Sequence, residues 1–163
     1  MPEIKKLSPY AVPAALDRAK HYRLLNEPAA AESICRDILR VEPENQEALI
    51  TIVLAMSDRL ASDYAVGNAK TKEYLERIKD EYFRAYYTGI VFERRAKAIL
   101  KRGPEGSESN AYEMFMQALD WFEKAESLKP DGNDDAILRW NGCVRVMKAN
   151  SLGPKQEAGD FLE

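Results

Sequence analysis

The chain has 163 residues and a mass of 18.5 kDa, room for one domain or one short repeat array. Hydrophobic residues make up 45% and charged residues 31%, enough for a core and too apolar for wholesale disorder. With 24 basic against 27 acidic side chains, net charge -3, one histidine (His21) and two cysteines (Cys35 and Cys143), the composition disfavours a nucleic-acid binder, a zinc ribbon and a disulfide scaffold.

Met1-Pro-Glu-Ile-Lys-Lys is not followed by a continuous apolar stretch, so no secretory signal is visible. Nowhere do the ~18 consecutive apolar residues of a membrane span occur. These features point to a cytoplasmic protein. Strand signals are nearly absent and helix signals repeat. A first helix is expected over roughly 13–25, with Ala15, Ala19 and Tyr22 on one side. Asn26-Glu27 leaves room only for an antiparallel turn into a second helix from Pro28 to Glu42. There Ala31, Ile34, Cys35, Ile38 and Leu39 make one face, Pro28 suits the first turn and Pro43 stops the helix. In that setting Cys35 reads as a small buried hydrophobe.

A third helix, about 45–60, is rich in Leu49, Ile50, Ile52, Val53, Leu54 and Met56. A polar break near Ser62-Asp63 leads to a fourth, ending near Ile78. Tyr82 to Arg102 forms a long fifth helix, with Ala85, Gly89, Phe92, Ala96 and Leu100 nearly in line. Gly103-Pro104-Glu105-Gly106-Ser107 is the strongest loop signal. A sixth helix, about 109–128, places Phe115, Ala118, Leu119, Phe122 and Ala125 on one face. After Pro130-Asp131-Gly132-Asn133, Asp134 or Asp135 caps a seventh helix running to about Ala149. Residues 150–163 read as a polar tail. Its end, Gly159-Asp160-Phe161-Leu162-Glu163, is an acidic apolar peptide with two readings, a solvated tail or a segment seated in a groove.

Internal periodicity organises these helices. Ala118, Phe122, Ala125 and Pro130 have the small–aromatic–small–proline spacing of a repeat's second helix, and the whole resembles the tetratricopeptide repeat (TPR) family. Ala19, Tyr22, Ala31 and Pro43 resemble the same unit, of about 34 residues. Gly89 with Phe92, and Trp140 with Gly142, resemble elements of later first helices. The resemblance covers roughly residues 10–148. It implies a single all-α domain, residues 1–149, built as a right-handed superhelical array of antiparallel hairpins. The repeats fall at about 12–45, 46–81 and 82–132, with 133–149 as a half repeat or cap. One departure stands out: the third repeat is about 17 residues longer than the period allows, as longer helices plus the Gly103 loop. Each hairpin leaves an apolar side that only its neighbour covers, and small residues at Ala19, Ala31, Gly89 and Ala118 permit close approach.

No catalytic constellation emerges. His21 has no second histidine for a dyad or metal pair, the acids at helix ends suit capping, and no phosphate loop is present. The chain is therefore expected to be non-catalytic, without cofactor or metal. The resemblance implies binding of a protein or peptide in a concave groove lined by first helices. It places there Leu16, Lys20 and Arg23, then Ile50, Leu54 and Asp58, then Phe83, Tyr87, Ile90 and Arg94. The last repeat adds Leu138, Asn141 and Arg145, in a register that Gly142 leaves open by one or two residues. The mix of aromatics and arginine suits an interface, and equally suits packing between repeats. Leu16, Thr51, Phe83 and Tyr87 stand where the family's chaperone-carboxylate clamp has lysine, asparagine, lysine and arginine, so that clamp is not implied.

Arg94, Arg95, Lys97, Lys101 and Arg102 form a basic end to the fifth helix, followed by an acidic sixth. Two readings follow: intramolecular pairing, or a patch for an acidic partner. Two rival functions are a homo-oligomeric assembly module, signalled by an exposed patch of Trp140, Val144 and Met147, and a small-molecule sensor using Tyr86, Tyr87 and Trp140.

Overall fold

The computed structural model describes residues 1–60 and 68–155. Within them lie seven helices and no strand: α1 (Val12–Leu24), α2 (Pro28–Val41), α3 (Gln46–Arg59), α4 (Asn68–Glu76), α5 (Glu81–Arg102), α6 (Glu108–Leu128) and α7 (Asp135–Ala149). A short 3-10 turn, Pro9–Ala11, leads into α1. No helix is long and apolar enough to cross a membrane among the described residues. The polar break near Ser62-Asp63 and the peptide Gly159 to Glu163 lie outside them.

Local chemistry sets the helix ends. The Asn45 side chain accepts from the Ala48 amide at 2.9 Å, and that of Asp80 accepts from the Phe83 amide at 2.9 Å, each satisfying an orphan donor. α1 ends on Asn26, whose φ of 58° is the left-handed turn asparagine tolerates. The Glu27 amide then donates to the Tyr22 carbonyl and the Asn26 amide to that of Arg23, which closes the hairpin. α7 ends the same way at Ser151, with the Leu152 amide on the Met147 carbonyl. Leu152 packs back onto the second core, so the chain stays attached to the helices past Asn150.

Consecutive helices pack as neighbours from α1 to α7. In addition α1 packs on α3, α3 on α5 and α5 on α7, whereas no even-numbered helix forms a comparable interface with the next even one. The odd helices therefore share one face of the molecule. Two apolar cores result. The first joins Leu16, Ala19, Cys35, Ile38, Leu49, Ile52, Val53 and Ile78. The second joins Ile90, Ala96, Phe115, Ala118, Phe122, Ala125 and Cys143. Trp140, Val144 and Met147 pack against the second core rather than forming an exposed patch.

Buried acids tie the hairpins. Glu32 on α2 is 3% exposed and receives the guanidinium of Arg59 on α3 at 2.6 Å as well as that of Arg36. Glu93 on α5 is 2% exposed and meets Lys97 and, at 3.4 Å, Arg139 of α7.

Burial pushes the Cys35 and Cys143 thiols up from 9.0 to about 12. Neither is expected to react with a chromogenic disulfide reagent at about pH 8 until denaturant is added; prompt labelling of the native protein contradicts this burial. The linkage has one sign: the folded state holds these protons more tightly, so their contribution is complete below pH 9 and is lost between 9 and about 12.

Candidate functional site

The shared face of α1, α3 and α5 carries most of the residues expected to line a groove. Lys20 and Arg23 lie one turn apart on α1, and Ile50, Leu54 and Asp58 follow at steps of four on α3. On α5, Phe83, Tyr87 and Arg94 continue the row. Lys20 pairs with Glu47 at 3.0 Å across α1 and α3.

Asp58 is the centre of the face. Its Oδ2 accepts from Arg23 Nε at 2.7 Å, and its Oδ1 accepts from Arg94 Nη1 at 2.6 Å and from Arg23 Nη2 at 3.3 Å. Arg94 also donates to the Ser57 hydroxyl at 2.6 Å and the Leu54 carbonyl at 3.2 Å. One carboxylate thus ties three helices together. It also serves two guanidiniums, which leaves an excess of one positive charge in a setting where Asp58 and Arg94 are only 22% and 23% exposed. Burial pulls the Arg94 pKa below the usual arginine value, against the stabilising field of Asp58.

Two clefts open beside this network and meet at Arg23. One, of about 350 Å³, is lined by Arg23, Asn26, Ser57, Asp58, Arg94, Lys97, Ala98 and Lys101. The other, of about 640 Å³, is lined among others by Lys20, Arg23, Glu47, Ile50, Leu54, Phe83 and Tyr87. The Phe83 and Tyr87 rings stack with centroids 6.1 Å apart. Phe83 is 41% exposed at the rim, while burial pushes the Tyr87 phenol up. Together the clefts offer an apolar, aromatic half and a cationic half.

Six expected groove residues stand elsewhere or act otherwise, among them Leu138, which is exposed on α7 and lines neither cleft. Ile90 is 2% exposed and belongs to the second core with Ala136 and Cys143 of α7, because α7 packs on α5. Arg94 is a strut between α3 and α5 whose guanidinium is already committed. Asn141 and Arg145 are exposed on α7 and line neither cleft. Leu16, the further α1 position of the expected row, is a first-core residue. Lys101, Asn26 and Ser57 line the cationic cleft without having been placed there from the sequence. Asp58 was legible as a groove position but not as the hub, because the two guanidiniums that make it one come from α1 and α5.

The basic end of α5 does not form one patch. At about 100° per residue, positions 94, 97 and 101 face the α1/α3 side and position 95 faces away. Arg94 pairs with Asp58 and Lys97 with Glu93, so neither turns to the acids of α6.

Compared with protein-family models, curated proteins and solved structures, the chain gives no significant match. Its own geometry defines an all-α chain in which α1, α3 and α5 carry a face with cationic and aromatic clefts.

Proposed function

We propose that this chain is a non-catalytic recognition module of TPR-like architecture, in which the odd helices form the concave side of a superhelical array. The alternating contact pattern supports that arrangement: odd helices meet the next odd helix and even ones do not. The ligand is a protein or peptide segment that brings an acidic group to Arg23 and Lys101 and an apolar side chain to Phe83 and Tyr87. The observation that carries this reading is the shared Asp58. Two guanidiniums on one carboxylate leave net positive charge at the mouth of a cleft, and a carboxylate from a partner completes the balance. The reading includes a cytoplasmic setting and excludes nucleic-acid, cofactor and membrane binding.

The test is affinity capture from cell lysate by wild-type protein beside a Phe83→Ala/Lys101→Glu variant, both changes lying at exposed positions. The expected result is a partner retained by wild type and lost from the variant, whose helicity is unchanged. An identical set of captured proteins from both would overturn the groove reading.

A further inference from the structure

A third cleft lies on the other side of α5, away from the Asp58 network. It has a volume of about 540 Å³ and is floored by Leu75 of α4 and Val91 of α5, with Phe92 of α5 and Trp121 of α6 on its walls. Its α5 lining, Arg84, Thr88, Val91, Phe92 and Arg95, recurs at helical spacing over about 16 Å of axis. The helices on either flank, α4 and α6, both pack on α5 but form no interface with each other that matches either contact. The result is a trough along α5 between two ridges. The lengthened third repeat builds two of its three sides.

The polar chemistry of this trough is unbalanced. Arg95 has its Nε buried and without a hydrogen-bond partner, and among the described residues no carboxylate pairs with its guanidinium. Its nearest ring is that of Phe92, with the guanidinium carbon 5.8 Å from the centroid. Burial pulls its pKa down with nothing opposing it. Arg84 donates to the Ile78 carbonyl at 2.8 Å and likewise has no carboxylate partner there. The one acid on the lining, Glu76, faces Lys72 at 3.9 Å, so that pair cancels itself. Two positive charges therefore stand uncompensated in a mostly apolar trough. A half-buried guanidinium without a counter-ion is costly in the free protein, and an anion that arrives with apolar groups relieves that cost.

We infer that this trough is a second docking site, whose occupant is an acidic amphipathic helix of a partner protein. An acidic side chain meets Arg95, and apolar residues at spacings of three and four lie on Val91, Phe92 and Trp121. A helix fits because the trough's α5 lining recurs at helical spacing along that helix for about three turns. The site is separate from the α1/α3/α5 face, since no residue lines both.

The probe is a random-peptide phage library panned on the full chain, with the selected peptides resynthesised and titrated by fluorescence anisotropy. Selected sequences are expected to combine an aspartate or glutamate with apolar residues at helical spacing, and to quench Trp121 on binding. Arg95→Gln is expected to weaken them by about tenfold or more, the loss of a charge-assisted hydrogen bond. Gln117→Glu, at an exposed position on the trough wall, repels the same peptides without touching the core. Phe83→Ala leaves them unaffected. The inference is overturned if no peptide is enriched, if the enriched peptides carry no acid, or if Arg95→Gln binds them as tightly as wild type. Peptides lost from Phe83→Ala but kept by Arg95→Gln also overturn it, and place recognition at the Asp58 face alone.

Discussion

Reversing Arg94 to glutamate is expected to lower folding stability by about 3–5 kcal/mol, the range for stranding a buried charge. The side chain donates to Asp58, Ser57 and the Leu54 carbonyl, and all three are on α3. A glutamate there removes every one of those bonds and sets a second carboxylate against Asp58. Arg23 still holds Asp58 from the α1 side at 2.7 Å, which moves the expected loss toward the lower end. Urea denaturation measures it: the midpoint falls while the slope stays constant. Arg94→Lys keeps the charge but not the forked donor geometry, so its loss is smaller. An unchanged midpoint for Arg94→Glu would mean that the guanidinium stands free of Asp58. Because Arg94 holds two helices together, a binding defect of its variants reports folding as much as recognition. Phe83 and Lys101, both exposed, are the cleaner probes of the face.

The second large effect lies at the α5–α6 crossing. A Cβ built on Gly89 would sit 2.6 Å from Cε1 and 2.7 Å from Cδ1 of Phe122, inside contact distance. Phe122 is fully buried among Ala85, Phe115, Ala118 and Tyr86, so its ring has little space to yield. Replacing a helical glycine by alanine normally gains about 0.8–1 kcal/mol of helix propensity. Overpacking here costs about 1–3 kcal/mol, so the net change for Gly89→Ala is destabilising and that for Gly89→Leu more so. For a chain of this size each kcal/mol moves the melting temperature by about 2–4 °C. Thermal melts of both variants are expected to show a drop that grows with side-chain size. Phe122→Leu introduced beside Gly89→Ala should recover part of the loss, as the two sites are in contact. Melts that match wild type would place the α5–α6 contact elsewhere.

The helices were legible because their signals are local. Pro28 and Pro43 mark helix ends within one turn, and the apolar faces of α2 and α6 repeat at 3.6-residue spacing. The burial of Cys35, Ala118, Phe122 and Ala125 follows from the same periodicity. What periodicity does not supply is the neighbour that covers a face. Ile90 shares a stripe with Tyr87 and Arg94, yet α7 covers it and leaves Phe83 exposed. The five cations from Arg94 to Arg102 form a run in one dimension and separate in three, because a helix turns about 100° per residue. Arg95 next to Arg94 therefore faces another cleft. Asp58, Glu32 and Glu93 are acids whose roles depend on partners far along the chain, 27 to 46 positions away, and no local signal names those partners.

On the proposed reading, a partner segment lies along the odd-helix face. The most direct measurement places a photo-crosslinking phenylalanine analogue at Phe83 and, as a control, at Ala29 on the exposed side of α2, then identifies the adducts by mass spectrometry. A crosslinked segment containing an acidic and an apolar residue is expected from position 83, and none from position 29. Equal adducts from both positions, or adducts from position 29 alone, would contradict it.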